Sequence, residues 1–364
     1  MSTVANKLIK AKTDSGFTPD PDFTKLLTIA GASGRNGTTL LNDLDDATEI
    51  DYFLNSSFVP NSYGSAQTWA VVDDTNKVFF VVNHTGDRLS CADWSDDTNI
   101  VVADIEVDIN YLDSARYIAV DPLKEYAYIY CQSIYANVEG ISRYDYSDPT
   151  NLTALWNFNI APSLYNVQVN PTRELLYTFS QNTLYTYDIS PTGSNSPILK
   201  DSLSFTTSFM WGSFLDTTND ILYAVSSNDK LFAFDVSSST AAVLLDTLID
   251  NTNLDYAVSV EVDVDAEIAF VSTRYGKISS IDVSDPSNLT LLDTYTGVGS
   301  SNDPFDKSMA IDAGAKRVYH SYGPSFAPAG VKVIEYSDPS NLTLETTIDH
   351  PSFAYRGTKV HLYN

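Results

Sequence analysis

Cysteine is nearly absent: Cys91 and Cys131 are the only two in 364 residues, which excludes a disulfide-dense scaffold. Each lies in a strand-like apolar run, where a small buried residue is the expected role; a disulfide between them cannot be argued from spacing. No apolar stretch is long enough to span a bilayer, and residues 1–22 lack the uninterrupted apolar core of a signal peptide. Basic residues are few, 21 Lys and Arg against 47 Asp and Glu, giving a formal charge of −26. That balance excludes nucleic acid and membrane insertion as expected partnerships. Glutamate is scarce too: nine of the 47 acids are Glu and 38 are Asp. Glu builds helices and Asp builds turns, so the skew points to a turn-rich all-β chain. Catalytic signatures are missing as well, with no His-Glu-x-x-His, no Gly-x-Ser-x-Gly, no phosphate loop and no Cys-x-x-Cys.

What is present is a repeat. Residues 281–292 read Ile-Asp-Val-Ser-Asp-Pro-Ser-Asn-Leu-Thr-Leu-Leu, a strand, a tight turn and a second strand. Ile281 and Val283 suit a strand, Pro286 fixes φ, and Asp285 and Asn288 can bond turn amides. The cassette returns from Tyr144 (YDYSDPTNLTAL) and Ile334 (IEYSDPSNLTL), and more weakly from Tyr187, Phe234, Ala92 and Asn42. Its acid stands at Asp43, Asp93, Asp145, Asp188, Asp235, Asp282 and Glu335, 43 to 53 residues apart. A residue repeated in this way serves the repeat, by bonding turn amides. The three Asn-Leu-Thr triplets at Asn151, Asn288 and Asn341 are part of the same turn, which explains them better than glycosylation.

A second mark falls between the cassettes: a run ending in Val-Asp, a polar turn, then an aromatic-rich strand, as in IAVDPLKEYAYIY from Ile118. Together the marks give four strands per repeat, for example 164–170, 174–180, 183–189 and 197–204. Four strands every forty to fifty residues is the period of a propeller blade. The first copy lacks its first strand, and residues 353–364 can supply it. The expectation is therefore all-β: a seven-bladed β-propeller of four-stranded blades over 23–364, closed by N- and C-terminal strands sharing one blade. Residues 1–22 are expected to form an extended arm and a possible attachment segment.

The cassettes Val283–Leu289 (VSDPSNL) and Tyr336–Leu342 (YSDPSNL) resemble the LVIVD-repeat family, and the Val-Asp turns are similar to YVTN and lactonase-like propellers. The resemblance covers roughly residues 23–364. It implies a cell-surface or extracellular propeller with no general activity to transfer.

Several residues could carry chemistry. His84 and His350 are expected in loops, and His320 and His361 in or near strands, with no motif joining them. Asp263, Asp265 and Glu267 alternate as calcium ligands would, backed by Asp43/Asp45/Asp46 and Asp93/Asp96/Asp97. The glycine and distant Glu of a calcium loop are missing, so no metal and no cofactor are expected. Paired aromatics such as Tyr126, Tyr128 and Tyr130, Tyr185 and Tyr187, and Phe232 and Phe234 read as packing between blades.

The leading functional expectation is a non-enzymatic binding or adhesion propeller, extracellular or on the cell surface, recognising a protein or glycan. Its ligand-binding residues would be Phe58, Tyr63, Tyr135 and Phe326, in long connections on one face among Gly, Pro, Asn and Ser. Two alternatives stand beside it: a structural virion or appendage component held through residues 1–22, and a metal-dependent lactonase-like hydrolase.

Overall fold

The computed structural model describes residues 9–10, 25–32, 35–43, 49–54, 68–83, 87–95, 101–132, 140–159, 164–190, 196–298, 309–322, 328–354 and 357–363. Six four-stranded antiparallel sheets, each hydrogen-bonded in chain order, occupy residues 68–107, 115–159, 165–204, 210–249, 257–296 and 309–354. We number them blades 1 to 6. Their first strands are Thr68–Asp73, Ala115–Asp121, Tyr165–Asn170, Met210–Asp216, Ala257–Asp263 and Met309–Asp312. From blade 1 to blade 6 each first strand lies against the first strand of the blade that follows it, so these six line the inner wall.

The terminal sheet differs from the expected four strands. Gly357–Tyr363 pairs with Lys25–Ala32, followed by Arg35–Asp43 and Glu49–Leu54, and Ile9–Lys10 adds a fifth strand against Glu49 and Ile50. Six four-stranded sheets are seen, then, and not seven. The chain ends do meet in one sheet, and Gly357–Tyr363 touches both Met309–Asp312 and Thr68–Asp73.

Burial follows position within a blade. The second strands Leu175–Ser180, Ile221–Ser226 and Ile268–Thr273 are buried at every residue. They have a strand on each side and a neighbouring blade on each face, which favours continuous apolar runs over alternation. The fourth strand Ile198–Ser204 is exposed at most positions because it is the outer edge. Most of the paired aromatics are core, as expected: Tyr128, Tyr130, Tyr187, Phe232 and Phe234 are all buried.

The turns explain the aspartates. Asp73, Asp121, Asp216, Asp263 and Asp312 end the first strands, all buried, with Asn170 in the same place in blade 3. Asp73 Oδ1 accepts from the amides of Thr75 and Asn76, and Asp216 Oδ1 repeats this with Thr218 and Asn219. The cassette acids behave alike: Asp93, Asp145, Asp188, Asp235, Asp282 and Glu335 each accept from the serine amide two residues on. Lys77, Glu125, Glu174, Asp220, Glu267 and Lys316 adopt φ of 54° to 56° just before each second strand. That left-handed turn aims their carbonyls at the amides of Trp94, Tyr146, Ile189, Val236, Val283 and Tyr336. Third and second strands are thereby tied in the same way in every blade.

Candidate binding site on the inner-strand face

One face carries the starts of the first strands and the turns joining second strands to third. There, blades 3 to 5 present a row of aromatic rings. Tyr165, at the start of its inner strand, lies 5.5 Å from Phe209 and 6.1 Å from Trp211. Trp211 stacks on Tyr256 at 6.3 Å, and Tyr256 meets Tyr275 edge-on at 6.3 Å. The Arg274 guanidinium sits 4.9 Å from the Tyr256 ring. Phe209 is 41% exposed and Tyr275 56% exposed, so the row is open to solvent.

The backbone beneath is built for this. Gly212 has no room for a side chain: a Cβ would stand 2.7 Å from the Val258 carbonyl oxygen and 2.8 Å from Ser259 Cα. The close approach of these two inner strands lets Trp211 reach Tyr256. Tyr256 has φ of 57°, an uncommon conformation for an aromatic residue. Its amide donates to Asp229 Oδ1 at 2.8 Å, and its carbonyl accepts from the Arg274 amide at 2.9 Å, which fixes the strained residue. Blade 2 uses the same device with Ser114 and Asp87, so the scaffold supplies the conformation and blade 5 fills it with a ring. Around the row, Lys277 Nζ pairs with Asp255 at 3.2 Å, and Gln168 Nε2 donates to the Ser213 carbonyl at 2.8 Å. An aromatic row flanked by a guanidinium suits the C–H faces of a sugar ring bearing a carbonyl or anionic group.

The four sequence-derived ligand residues, Phe58, Tyr63, Tyr135 and Phe326, lie outside the described residues. The aromatic row was missed because its members sit singly beside short loops. The nearest sequence signal was the pair of brief segments Phe209-Met-Trp211 and Arg274-Tyr275. His320 is buried in the strand Arg317–Tyr322, and His361 falls in Gly357–Tyr363. His350 is in the strand Thr343–Ala354 and not in a loop, while His84 lies outside the described residues. Asp263 is committed to protein partners: Oδ1 takes the Ala266 amide, and Oδ2 takes Lys316 Nζ at 2.9 Å and the Tyr336 hydroxyl at 2.8 Å. Among the described residues no three His, Cys, Asp or Glu side chains converge as metal ligands. Cys91 and Cys131 are both buried free thiols, and burial, then Asp104 and Asp93, pushes the Cys91 thiol up to about 12.

No family model and no curated protein matches the chain. Solved structures do. A 6-phosphogluconolactonase candidate from Bacteroides fragilis has a TM-score of 0.74 at 11% identity, over 95% of this chain and all of its own. The periplasmic gluconolactonase of Pseudomonas aeruginosa has 0.71 at 11%, over 93% and 99%. A β-propeller domain from Myceliophteria thermophila has 0.57 at 12%, over 80% and 89%. At these identities the likeness defines the fold: the protein is a β-propeller. The more specific resemblance to LVIVD or YVTN repeats has no matching family model behind it.

These neighbours correct the expectation of a non-enzymatic adhesion module, since two that match over 93–95% of this chain carry lactonase names. The physical reason lies in the scaffold. A propeller gathers functional groups from several blades, so a missing linear motif does not argue against chemistry.

Proposed function

We propose that the protein binds and hydrolyses a sugar-derived lactone on the inner-strand face of blades 3 to 5. The observation that carries this reading is the aromatic row Tyr165–Trp211–Tyr256–Tyr275, half-buried along its length and open at Tyr275, with Arg274 over Tyr256. The gluconolactonase names of the structural neighbours agree with it. Trp211 and Tyr256 stack on the sugar face, and Arg274 holds its carbonyl or anionic substituent. In the same reading the terminal sheet serves as a seventh blade with Gly357–Tyr363 innermost. Ile9–Lys10 is an addition to its outer edge.

The test is hydrolysis of glucono-δ-lactone and its 6-phosphate, followed by proton release. The wild-type chain should turn over at least one of them above the spontaneous rate. Trp211→Ala and Arg274→Ala should each lower kcat/KM about tenfold or more, the scale of one lost stacking or charged contact. Background hydrolysis, with no saturable binding of either lactone, would reject the proposal.

A further inference from the structure

Two of the junctions between blades share one design, and a third keeps its backbone and carboxylate but lacks the tyrosine. At the junction of blades 1 and 2, the Tyr146 hydroxyl donates to Asp73 Oδ2 at 2.7 Å, and its ring packs 4.9 Å from Phe80. At the junction of blades 5 and 6, Tyr336 donates to Asp263 Oδ2 at 2.8 Å and packs 4.6 Å from Phe270. Both tyrosines immediately follow a third strand, and both phenylalanines are third in their second strand.

Between blades 4 and 5 the equivalent residues are Val283 and Tyr223. The backbone is unchanged, with the Val283 amide bonded to the Glu267 carbonyl at 2.9 Å, as Tyr146 is to Glu125. The carboxylate is unchanged too. Asp216, 4% exposed, holds Asn219 Nδ2 at 2.8 Å, and Asp73 holds Asn76 Nδ2 at 2.8 Å. The phenol is gone, and Tyr223 stands where the other two junctions have phenylalanine. In its place is a cavity of about 240 Å³, with Asp216, Tyr223, Val262 and Val283 in its buried walls. Exposed Asn219, Glu267 and Ser284 stand at its mouth. Tyr223 is 2% exposed and lines the cavity, so its hydroxyl is a second polar group available there. The junction of blades 3 and 4 also has valine, Val236, but Arg173 reaches across it to the Val236 carbonyl at 2.8 Å.

We propose that this cavity binds a 4-hydroxyphenyl group, whose hydroxyl donates to Asp216 Oδ2 as Tyr146 and Tyr336 do at their own junctions. The ring lies over Val283 and Val262 against Tyr223. The site is separate from the aromatic row and does not depend on its function.

The probes are 4-methylphenol and N-acetyltyrosinamide, titrated into the full chain by calorimetry, with toluene as the isostere that lacks the hydroxyl. Saturable binding of 4-methylphenol is expected, with toluene at least about tenfold weaker because it has no hydroxyl to donate to Asp216 Oδ2. Binding of 4-methylphenol alone assigns a free phenol; binding of both phenols assigns a tyrosyl side chain presented by a peptide as well. Val283→Tyr fills the cavity from within, so it should abolish binding while lactone turnover persists. Should that variant fail to fold, the toluene comparison decides. Toluene binding as tightly as 4-methylphenol, neither phenol binding, or a folded Val283→Tyr that still binds would each overturn the proposal.

Discussion

Asp104 Oδ2, on the outer strand of blade 1, accepts the Leu152 amide of blade 2 at 2.8 Å. The same bond joins Asp201 to Ala242, Asp246 to Leu289 and Asp293 to Leu342, at 2.7 to 2.8 Å. Each acid directly follows the residue skipped where the outer strand slips register against the third strand. Each amide belongs to the residue just before the next blade's fourth strand. Blade 3 has Pro197 at that position, which has no amide hydrogen to give. The facing position in blade 2 is accordingly not an acid but Trp156, which stacks 4.9 Å from the buried Arg143 guanidinium. Acid and donor are kept or lost together.

This pairing predicts the effect of removing one acid. Asp246→Ala leaves the amide of buried Leu289 without its acceptor, which should cost about 1–3 kcal/mol. Urea unfolding should show a lower midpoint with an unchanged slope. A midpoint within error of wild type would mean the bond is dispensable.

Two other aspartates should move stability in opposite directions with pH. Asp121 is fully buried, and its Oδ2 has no hydrogen-bond partner among the described residues. Burial raises its pKa, outweighing the Lys124 and Leu123 amides. A raised carboxyl opposes folding once the unfolded chain ionises, so the penalty is absent below about pH 4 and grows as pH rises toward the raised folded value. Asn170 shows that an amide fits the same turn, accepting from the Arg173 amide. Asp121→Asn should therefore raise the urea midpoint at pH 7 and lose that advantage as pH falls toward 4. Asp188 behaves in reverse: the bond with Ser190 first, and then Lys200, hold it down to about 2. Its contribution is present above about pH 4 and fades as pH falls toward 2. Asp188→Asn should flatten the acid limb of the stability profile, and an identical limb would contradict this.

Gly212 links the fold to the aromatic row. Gly212→Ala drives a methyl group into the Val258 carbonyl and Ser259, so the two inner strands must separate. Overpacking of this kind costs about 1–3 kcal/mol. It should also weaken lactone turnover by pulling Trp211 from Tyr256, and tryptophan fluorescence should shift. Wild-type stability together with wild-type fluorescence would show that the strands yield without strain.

The blade register was legible because its turns have narrow chemistry. Asp, Pro and Asn recur where turn amides need acceptors, as at Asp285, Pro286 and Asn288, and that repetition phases the strands between them. The pair Ile9–Lys10 was not legible, since two residues carry no period. Nor was the candidate site. Strand alternation tells which residues are buried but not which strand ends share a face, and nothing in the sequence marks the left-handed turn at Tyr256. The cavity at Val283 becomes visible only when the blades are superposed, because it consists of one missing side chain.

The last prediction concerns the two chain ends. Gly357–Tyr363 pairs along Lys25–Ala32 and lies between the first strands of blades 6 and 1. Deleting residues 357–364 would unpair one edge of Lys25–Ala32 and uncover the inner strands of both neighbouring blades. Exposed strand edges invite association between chains, so the truncated protein should aggregate or unfold in a broad transition. Among the described residues, deleting 1–22 removes the short pairing of Ile9 and Lys10 with Ile50 and Glu49, and it should leave the thermal midpoint nearly unchanged. Light scattering and thermal unfolding of the two truncations separate these outcomes. A chain lacking 357–364 that melts sharply at the wild-type temperature would show that the terminal sheet does not close the ring.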